Sequence, residues 1–343
     1  MPKEKIQTVR ALARELGVSH TTVSDALRNN PRVSVKTRER VQRAARELGY
    51  HYNPLAGAIM SEIRRSSVGT FHGIVAIVDL ESDKDRRPGA KPYHAEMLRG
   101  ARDAAGRLGF KVDYFILGEE HIPVSRLNGI LESRGIHAAL FLPVSGKPEI
   151  SEFNWEYLTG IYTDYLIDDP ALHTVCPDHF RSMTIALQKL IDLGYTRPGL
   201  VLRESQDRRT LFRWEAAFSS YWSRHTDHDL TIPLVTKDLT RDTFLEWFDA
   251  TKPDVVMSHH ASVLQWMKER GCKVPETHGF CCLNVVSAQI NAAGLDLLPR
   301  LAGMRGMEAL VAQLQRNEYG IPEAPSTMTY AAKWQDGPTL RKQ

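Results

Sequence analysis

Between Ser19 and Arg28 the chain sets out a row of small polar and charged groups: Ser19, His20, Thr21 and Thr22, then Ser24, Asp25 and Arg28. Side chains of these types exchange hydrogen bonds with base edges and phosphate oxygens. A second grouping, His259, His260, Cys272, His278, Cys281 and Cys282, holds residue types that ligate zinc or supply a thiol nucleophile. Zinc needs four convergent ligands, and neighbours in a strand such as Cys281 and Cys282 point to opposite faces. Buried structural cysteines are therefore the reading that stands against the metal one. No Walker A loop, nucleophile elbow or H-E-x-x-H run occurs, so neither an enzyme nor a bound cofactor or metal is expected.

The polar row needs a helix start to hold it. Thr8 can cap a helix that puts Val9, Leu12, Ala13 and Leu16 on one face, and Gly17 interrupts it where positive φ is needed. Ser19 caps a second helix through Thr22, Val23, Ala26 and Leu27, stopped by Asn29-Asn30-Pro31. Ser34 starts a third, with Val35, Val41, Ala44, Ala45 and Leu48 on one side and Gly49 at its end. Ala13, Gly17 and Val23 have the spacing of a helix-turn-helix: a small residue where the helices cross, a glycine at the turn, and an apolar anchor beyond. A hairpin used only for packing has the same spacing, but it has no need of the polar row.

Charge divides along the same line. The 343 residues carry 44 Lys+Arg and 41 Asp+Glu, a net +3. Residues 1–65 hold 13 basic and 6 acidic side chains, while residues 66–343 hold 31 and 35. A small basic module on a mildly acidic body implies that only the N-terminus meets a polyanion, the alternative being a solvated basic face. With 42% hydrophobic and 25% charged residues the composition is globular. The start MPKEKIQTVRALARELG lacks an apolar signal region, no run nears the roughly 18–20 apolar residues of a membrane span, and the four cysteines are too few for a disulfide scaffold. A soluble protein of a reducing cytosol, without a membrane partner, is expected.

Residues 51–72 differ in kind: Asn53-Pro54 opens a short helix, LAGAIMSEIRR, too poor in apolar surface to fold by itself, and Ser66–Thr70 reads as a linker. From residue 73 strands and helices alternate. Strands are expected at Gly73–Asp79, Lys111–Ile116, Ala138–Leu142, Pro198–Leu202, Asp254–Met257 and Thr277–Cys281. Helices fit at about 94–108, 124–134, 178–193, 207–224, 241–250 and 260–270, with a further helix near 299–316 and a last strand near 326–334. The alternation implies parallel sheets covered by helices, in two series separated near Tyr162–Asp169 with a ligand cleft between two lobes.

The run V-R-A-L-A-R-E-L-G-V-S-H-T-T-V-S, then V-S-V-K-T-R-E-R-V-Q-R-A-A-R-E-L-G-Y, then N-P-L-A, carries a close resemblance. Residues 6–60 are similar to the DNA-binding headpiece of the LacI/GalR family of bacterial transcription repressors, and the rest resembles, more loosely, that family's regulatory core. The resemblance implies a small all-α helix-turn-helix headpiece plus an α/β, two-lobed, periplasmic-binding-protein-like core with parallel sheets. The segments it implies are a headpiece at 1–52, a hinge helix and linker at 53–70, one lobe at 71–164 with about 296–318, and the other at 165–295 with about 319–343.

In that frame His20, Thr21, Ser24, Asp25 and Arg28 face the major groove. Many members have arginine in place of Asp25, so the resemblance does not give the operator sequence. Thr8, Ser19, Thr22, Ser34 and Thr37 contact phosphates. Asn53, Ala56 and Ile59 belong to a hinge helix in the minor groove, where Ile59, or its neighbour Met60, wedges a base step. The partners implied are near-palindromic double-stranded operator DNA, a second copy of the chain in a homodimer, and a small-molecule effector, a sugar or related metabolite, in the interlobe cleft. Arg213 falls where the family often grips ligand, against the plainer reading of a surface arginine. Asp79, Tyr93 and Asn284 are pocket groups by position, and His259-His260 replaces an Asn-Asp pair common in sugar-binding members. The expected activity is that of a cytoplasmic DNA-binding regulator, in the manner of a repressor and nucleoid-associated when bound. A periplasmic-type solute-binding protein is the alternative, and a metal- or thiol-dependent enzyme a more remote one.

Overall fold

The computed structural model describes residues 9–27, 33–47, 72–82, 84, 86–117, 122–146, 150–165, 169–225 and 231–342. The chain divides into an N-terminal unit that ends at Gly73 and a larger one that starts at Ile74.

In the N-terminal unit, α1 (Val9–Leu16), α2 (His20–Leu27) and α3 (Val35–Glu47) enclose a small core of Leu12, Ala13, Val23, Ala26, Val41 and Ala45. Gly17 sits at φ 63 between α1 and α2, and the turn is closed by the Val18 N–H donating to Ala13 O at 3.1 Å. An L side chain there would be strained, so the glycine sets the direction in which α2 leaves α1. The third helix is tied to the other two: Arg40 Nη2 donates to Leu16 O at 2.9 Å and Gln42 Nε2 to Ala26 O at 3.2 Å, covering carbonyls the ends of α1 and α2 leave open.

The larger unit begins with β1 (Gly73–Asp79), whose apolar run is buried from Val75 to Asp79. A short 3-10 turn at Pro88–Ala90 leads into α4 (Lys91–Arg107), then β2 (Phe110–Ile116), α5 (Val124–Arg134), β3 (Ala138–Phe141), β4 (Thr159–Tyr162) and β5 (His173–Pro177). The chain continues through α6 (His179–Asp192), β6 (Pro198–Arg203), α7 (Glu204–Arg209), α8 (Arg213–His225), β7 (Leu234–Thr236), α9 (Arg241–Thr251), β8 (Val255–Ser258), α10 (Ala261–Glu269), β9 (Gly279–Cys282), α11 (Val285–Ala288) and β10 (Gly294–Asp296). It ends with α12 (Pro299–Arg316), β11 (Thr327–Tyr330) and β12 (Lys333–Gln335).

These strands form two six-stranded sheets, ordered β11-β5-β4-β3-β1-β2 and β12-β10-β9-β8-β6-β7. In the first, β1 pairs with β3, β3 with β4, β4 with β5 and β5 with β11, all parallel. In the second, β6 to β10 pair in parallel with their neighbours and β12 closes the edge antiparallel to β10. Helices on both faces explain why the central strands are continuous apolar runs. The chain passes between the lobes at Asp178, at 297–298 and at 331–332. Two of these crossings are bound to each other or to a neighbouring helix: the Asp178 N–H donates to Tyr330 O at 2.7 Å, and the Ala332 N–H to Ser182 Oγ at 3.0 Å.

The α/β two-lobed class expected from the sequence is the one observed. The lobe boundaries differ. β5 at His173–Pro177 and β11 at Thr327–Tyr330 belong to the first sheet, whereas the resemblance implies a second lobe of 165–295 with about 319–343. The sequence HTVCP is short and ends in proline, so it carries little strand signal, and it is a strand because β4 and β11 flank it. The single strand expected near 326–334 is two strands in two sheets, and the helix expected at 207–224 is broken. Leu211 and Phe212 both adopt positive φ, 54 and 57, with no glycine or proline to announce the break.

Candidate functional site

At the start of α2, Ser19 Oγ accepts the Thr22 N–H at 3.0 Å and shares a hydrogen bond with Thr22 Oγ1 at 2.8 Å. Ser34 and Thr37 repeat the arrangement at the start of α3, with 3.3 Å to the Thr37 N–H and 2.9 Å between hydroxyls. Each cap fixes a helix start, where backbone N–H groups and the dipole favour an anion. Asp25 lies on α2, partly exposed. Thr8, Arg28, Asn53, Ala56 and Ile59 lie outside the described residues, as do the side chains of His20, Thr21 and Ser24, whose backbone is in α2.

In the larger unit, a cavity of about 270 Å³ opens between the lobes, walled by Arg87, His179, Arg203, Arg209, Trp214 and His260 among others. Its polar groups come from the carboxyl ends of strands, where crossover topology leaves a crevice. Arg203 ends β6, His259 and His260 follow β8, Asn284 follows β9, and His179 follows β5. Arg209, at the end of α7, points its guanidinium at Asp164, with Nη1 to Oδ2 at 2.9 Å, and the attraction holds its pKa above the ordinary arginine value. The second Asp164 oxygen accepts the Tyr165 N–H at 2.8 Å.

The histidines are neutral at pH 7. His179 is 5% exposed, its ring against Trp214 at 5.0 Å between centroids, and burial pushes its pKa down to about 3. His259 lies edge-on to the other side of Trp214 at 5.1 Å and is also held well below the ordinary value, chiefly by burial. His260 falls to about 4 from burial and from the Arg203 charge, and its Nε2 hydrogen-bonds Gln206 Oε1 at 2.7 Å.

The residues expected to bind ligand are not all brought together. His259 and Asn284 line the cavity, and Asn284 Oδ1 is occupied in capping α11 through the Ser287 N–H at 3.1 Å. Tyr93 lines an adjoining recess of about 70 Å³ with Asp164 and His94. Arg213 does not line the cavity, because its guanidinium lies over the Tyr165 ring at 4.4 Å. Asp79 does not line it either. Its carboxylate is buried, ion-paired with Arg86, and accepts the Tyr114 hydroxyl at 2.6 Å. Of the groups missed in the sequence, Arg203 had a signal there, just past the legible strand β6, whereas His179 follows β5 and Arg209 closes α7, elements the sequence does not announce. Cys281 and Cys282 face different cores on opposite sides of the second sheet, and burial raises both thiols, Cys282 to about 11. Among the described residues no group of three His, Cys, Asp or Glu side chains is arranged to hold a metal ion, and no helix is long and apolar enough to cross a membrane.

Residues 8–53 match the family model for bacterial regulatory proteins, lacI family. The chain is 31% identical over 144 residues to the HTH-type transcriptional regulator CelR of Thermobifida fusca, covering 41% of this chain and 38% of that protein. It is 32% identical over 110 residues to the HTH-type transcriptional repressor CytR of Escherichia coli (strain K12), covering 32% and 28%. These matches thus span well under half the length of either relative. Among solved structures, a CelR–cellobiose complex aligns with 97% of this chain and 100% of its own at a TM-score of 0.59 and 20% identity. The lac repressor dimer bound to operator and the anti-inducer ONPF aligns with 97% and 99% at 0.53 and 16%. The structural likenesses establish the two-lobed fold, and residues 8–53 carry the match to the lacI family of bacterial regulatory proteins.

Proposed function

We propose that this chain is a sequence-specific transcriptional regulator, a repressor in the bacterial cytoplasm that binds a near-palindromic operator as a homodimer. The observation that carries the reading is the helix-turn-helix: α2 leaves the Gly17 turn with its start capped by Ser19, inside the segment that matches the family. His20, Thr21, Ser24 and Asp25 read base edges from the first turns of α2, and Arg28 flanks them. The Ser19–Thr22 and Ser34–Thr37 hydroxyls take phosphates on either side. Asn53, Ala56 and Ile59 enter the minor groove, paired with those of a second copy, and the dimer gains affinity by engaging two half-sites at once. A small molecule in the interlobe cavity shifts the lobes between a form that binds DNA and one that does not.

Selection of genomic fragments by the full chain tests this. The expected result is one enriched motif with two-fold symmetry, whose footprint spans two half-sites and whose retention is lost for the Val23→Asp variant. Fragments enriched without a shared motif would overturn the reading.

A further inference from the structure

The cavity is rich in donors and lacks carboxylates. Arg87, Arg203 and Arg209 line it, and among the described residues none of its lining is Asp or Glu. Asp164, in the adjoining recess, is already engaged by Arg209 and by the Tyr165 N–H. Two buried polar atoms of this wall lack a hydrogen-bond partner among the described residues: Nε of Arg203 and Nδ1 of His179, the latter on a side chain 5% exposed. A buried guanidinium N–H without an acceptor is costly, so the site is built for a group that supplies one. Arg203 and Arg209 stand at opposite ends of the same short segment, one ending β6 and the other ending α7, and both reach the same cavity.

A neutral sugar is gripped mainly by carboxylates that accept from its hydroxyls. The acidic side chain that position in the fold pointed to, Asp79, is turned to Arg86 and Tyr114 and is absent from the wall. The remaining groups are complementary to a ligand that carries both negative charge and hydroxyls. Ser205, Gln206, Asn284 and Ser287 suit the hydroxyls, and Leu297 and Trp214 give an apolar side.

We infer that the interlobe cavity takes a small hydroxylated anion, a sugar acid or a sugar phosphate, with its carboxylate or phosphate held by Arg203 and Arg209 and completed by His179. The inference rests on the reading of the cavity as the effector site. The guanidinium forks match either anion in two-point contact, so the chemistry shared by the two sources is the charged oxygen pair.

The test uses the full chain and measures melting temperature and calorimetric affinity with gluconate, galactarate and glucose 6-phosphate, each against glucose or galactose and against sodium chloride of matched ionic strength. At 10 mM at least one anion is expected to raise the midpoint by about 2 °C or more over its uncharged parent. Arg203→Ala is expected to weaken that anion about tenfold or more, and Arg203→Lys by less, each variant first shown to be folded by circular dichroism. A response to the carboxylates alone, or to the phosphate alone, supports the inference and identifies the source. No anion exceeding its uncharged parent overturns it, as does binding that survives Arg203→Ala combined with Arg209→Gln. Operator retention by the same samples separates the two readings. A neutral sugar that binds and releases the operator removes the anion inference and keeps the regulator. An anion that binds through Arg203 without changing operator retention keeps the site and removes its regulatory role.

Discussion

In each of the Ser19–Thr22 and Ser34–Thr37 pairs, one hydroxyl hydrogen lies between the two oxygens and the other is left to donate elsewhere. On the proposed reading the caps would serve helix stability and phosphate contact with the same atoms. Ser19→Ala is expected to cost about 1 kcal/mol at the start of α2 and to lower operator affinity, and Ser19→Asp to restore the cap while repelling phosphate, so stability and affinity part company in that variant. Lys36, exposed in the first turn of α3, calls for a different measurement: Lys36→Ala is expected to reduce the slope of log affinity against log salt by about 1 while leaving the preferred sequence unchanged. In the cleft, His179 is held neutral down to about pH 3 when folded, whereas the unfolded chain protonates it near 6.5. Between those values the unfolded state binds the extra proton, so stability is fully present above about pH 6.5 and falls as the pH drops toward 3. The limiting slope is about 1.4 kcal/mol per pH unit for one proton. His260, lowered to about 4, acts in the same direction over its own narrower window. Melting curves of His179→Gln between pH 7 and 4 are expected to show a shallower acid decline than those of the parent chain, and equal slopes would refute the assignment.

Elements show where sequence patterns suffice and where packing decides. β1, α5 and α12 match their expected limits because each has strong local signals: an unbroken apolar run in β1, Gly135 at φ 65 ending α5, and Pro299 opening α12. β5 has none of these and is recognised only by its neighbours. The break at Leu211 and Phe212 is closed locally: the Phe212 N–H donates to Asp207 O at 2.8 Å, folding the chain back from α7 before α8 begins. The candidate site divides in the same way. That histidines and Asn284 would follow strand ends was legible, because the ends of β8 and β9 were. That Arg213 would lie on Tyr165 and Asp79 under Tyr114 was not, since each depends on a partner distant in sequence, and Arg86 reaches Asp79 across an irregular loop with no pattern of its own. α4 and α12 carry a further test. They cross with Gly100 and Gly303 so close that an added Cβ would come within 2.0 Å of Arg300 O and of Met97 O. Gly303→Ala is expected to lower stability by about 1–3 kcal/mol, seen as a reduced urea midpoint at unchanged m-value.

For the whole molecule, charge and architecture agree. The basic excess of residues 1–65 coincides with the unit that carries the helix-turn-helix, and the acidic balance of the remainder suits a core that keeps off phosphate. The crossings at Asp178, 297–298 and 331–332 are where any change in the angle between the lobes must be taken up, and the cavity borders one of them through Leu297. Ligand that bridges the lobes is expected to slow amide exchange at Asp178 and Ala332, whose N–H groups donate to Tyr330 O and Ser182 Oγ.

The passage of the chain from β11 into β12 has a consequence for how the protein is made. Each sheet receives an edge strand from residues 327–335: Thr174 of the first waits for Thr327, and Leu295 of the second for Trp334. During translation both lobes are present but unfinished, each with an unpaired edge, until residues 327–335 clear the ribosome. Completion of the two sheets then waits on the same short segment, and a nascent chain halted near residue 320 should expose two open edges to chaperones at once.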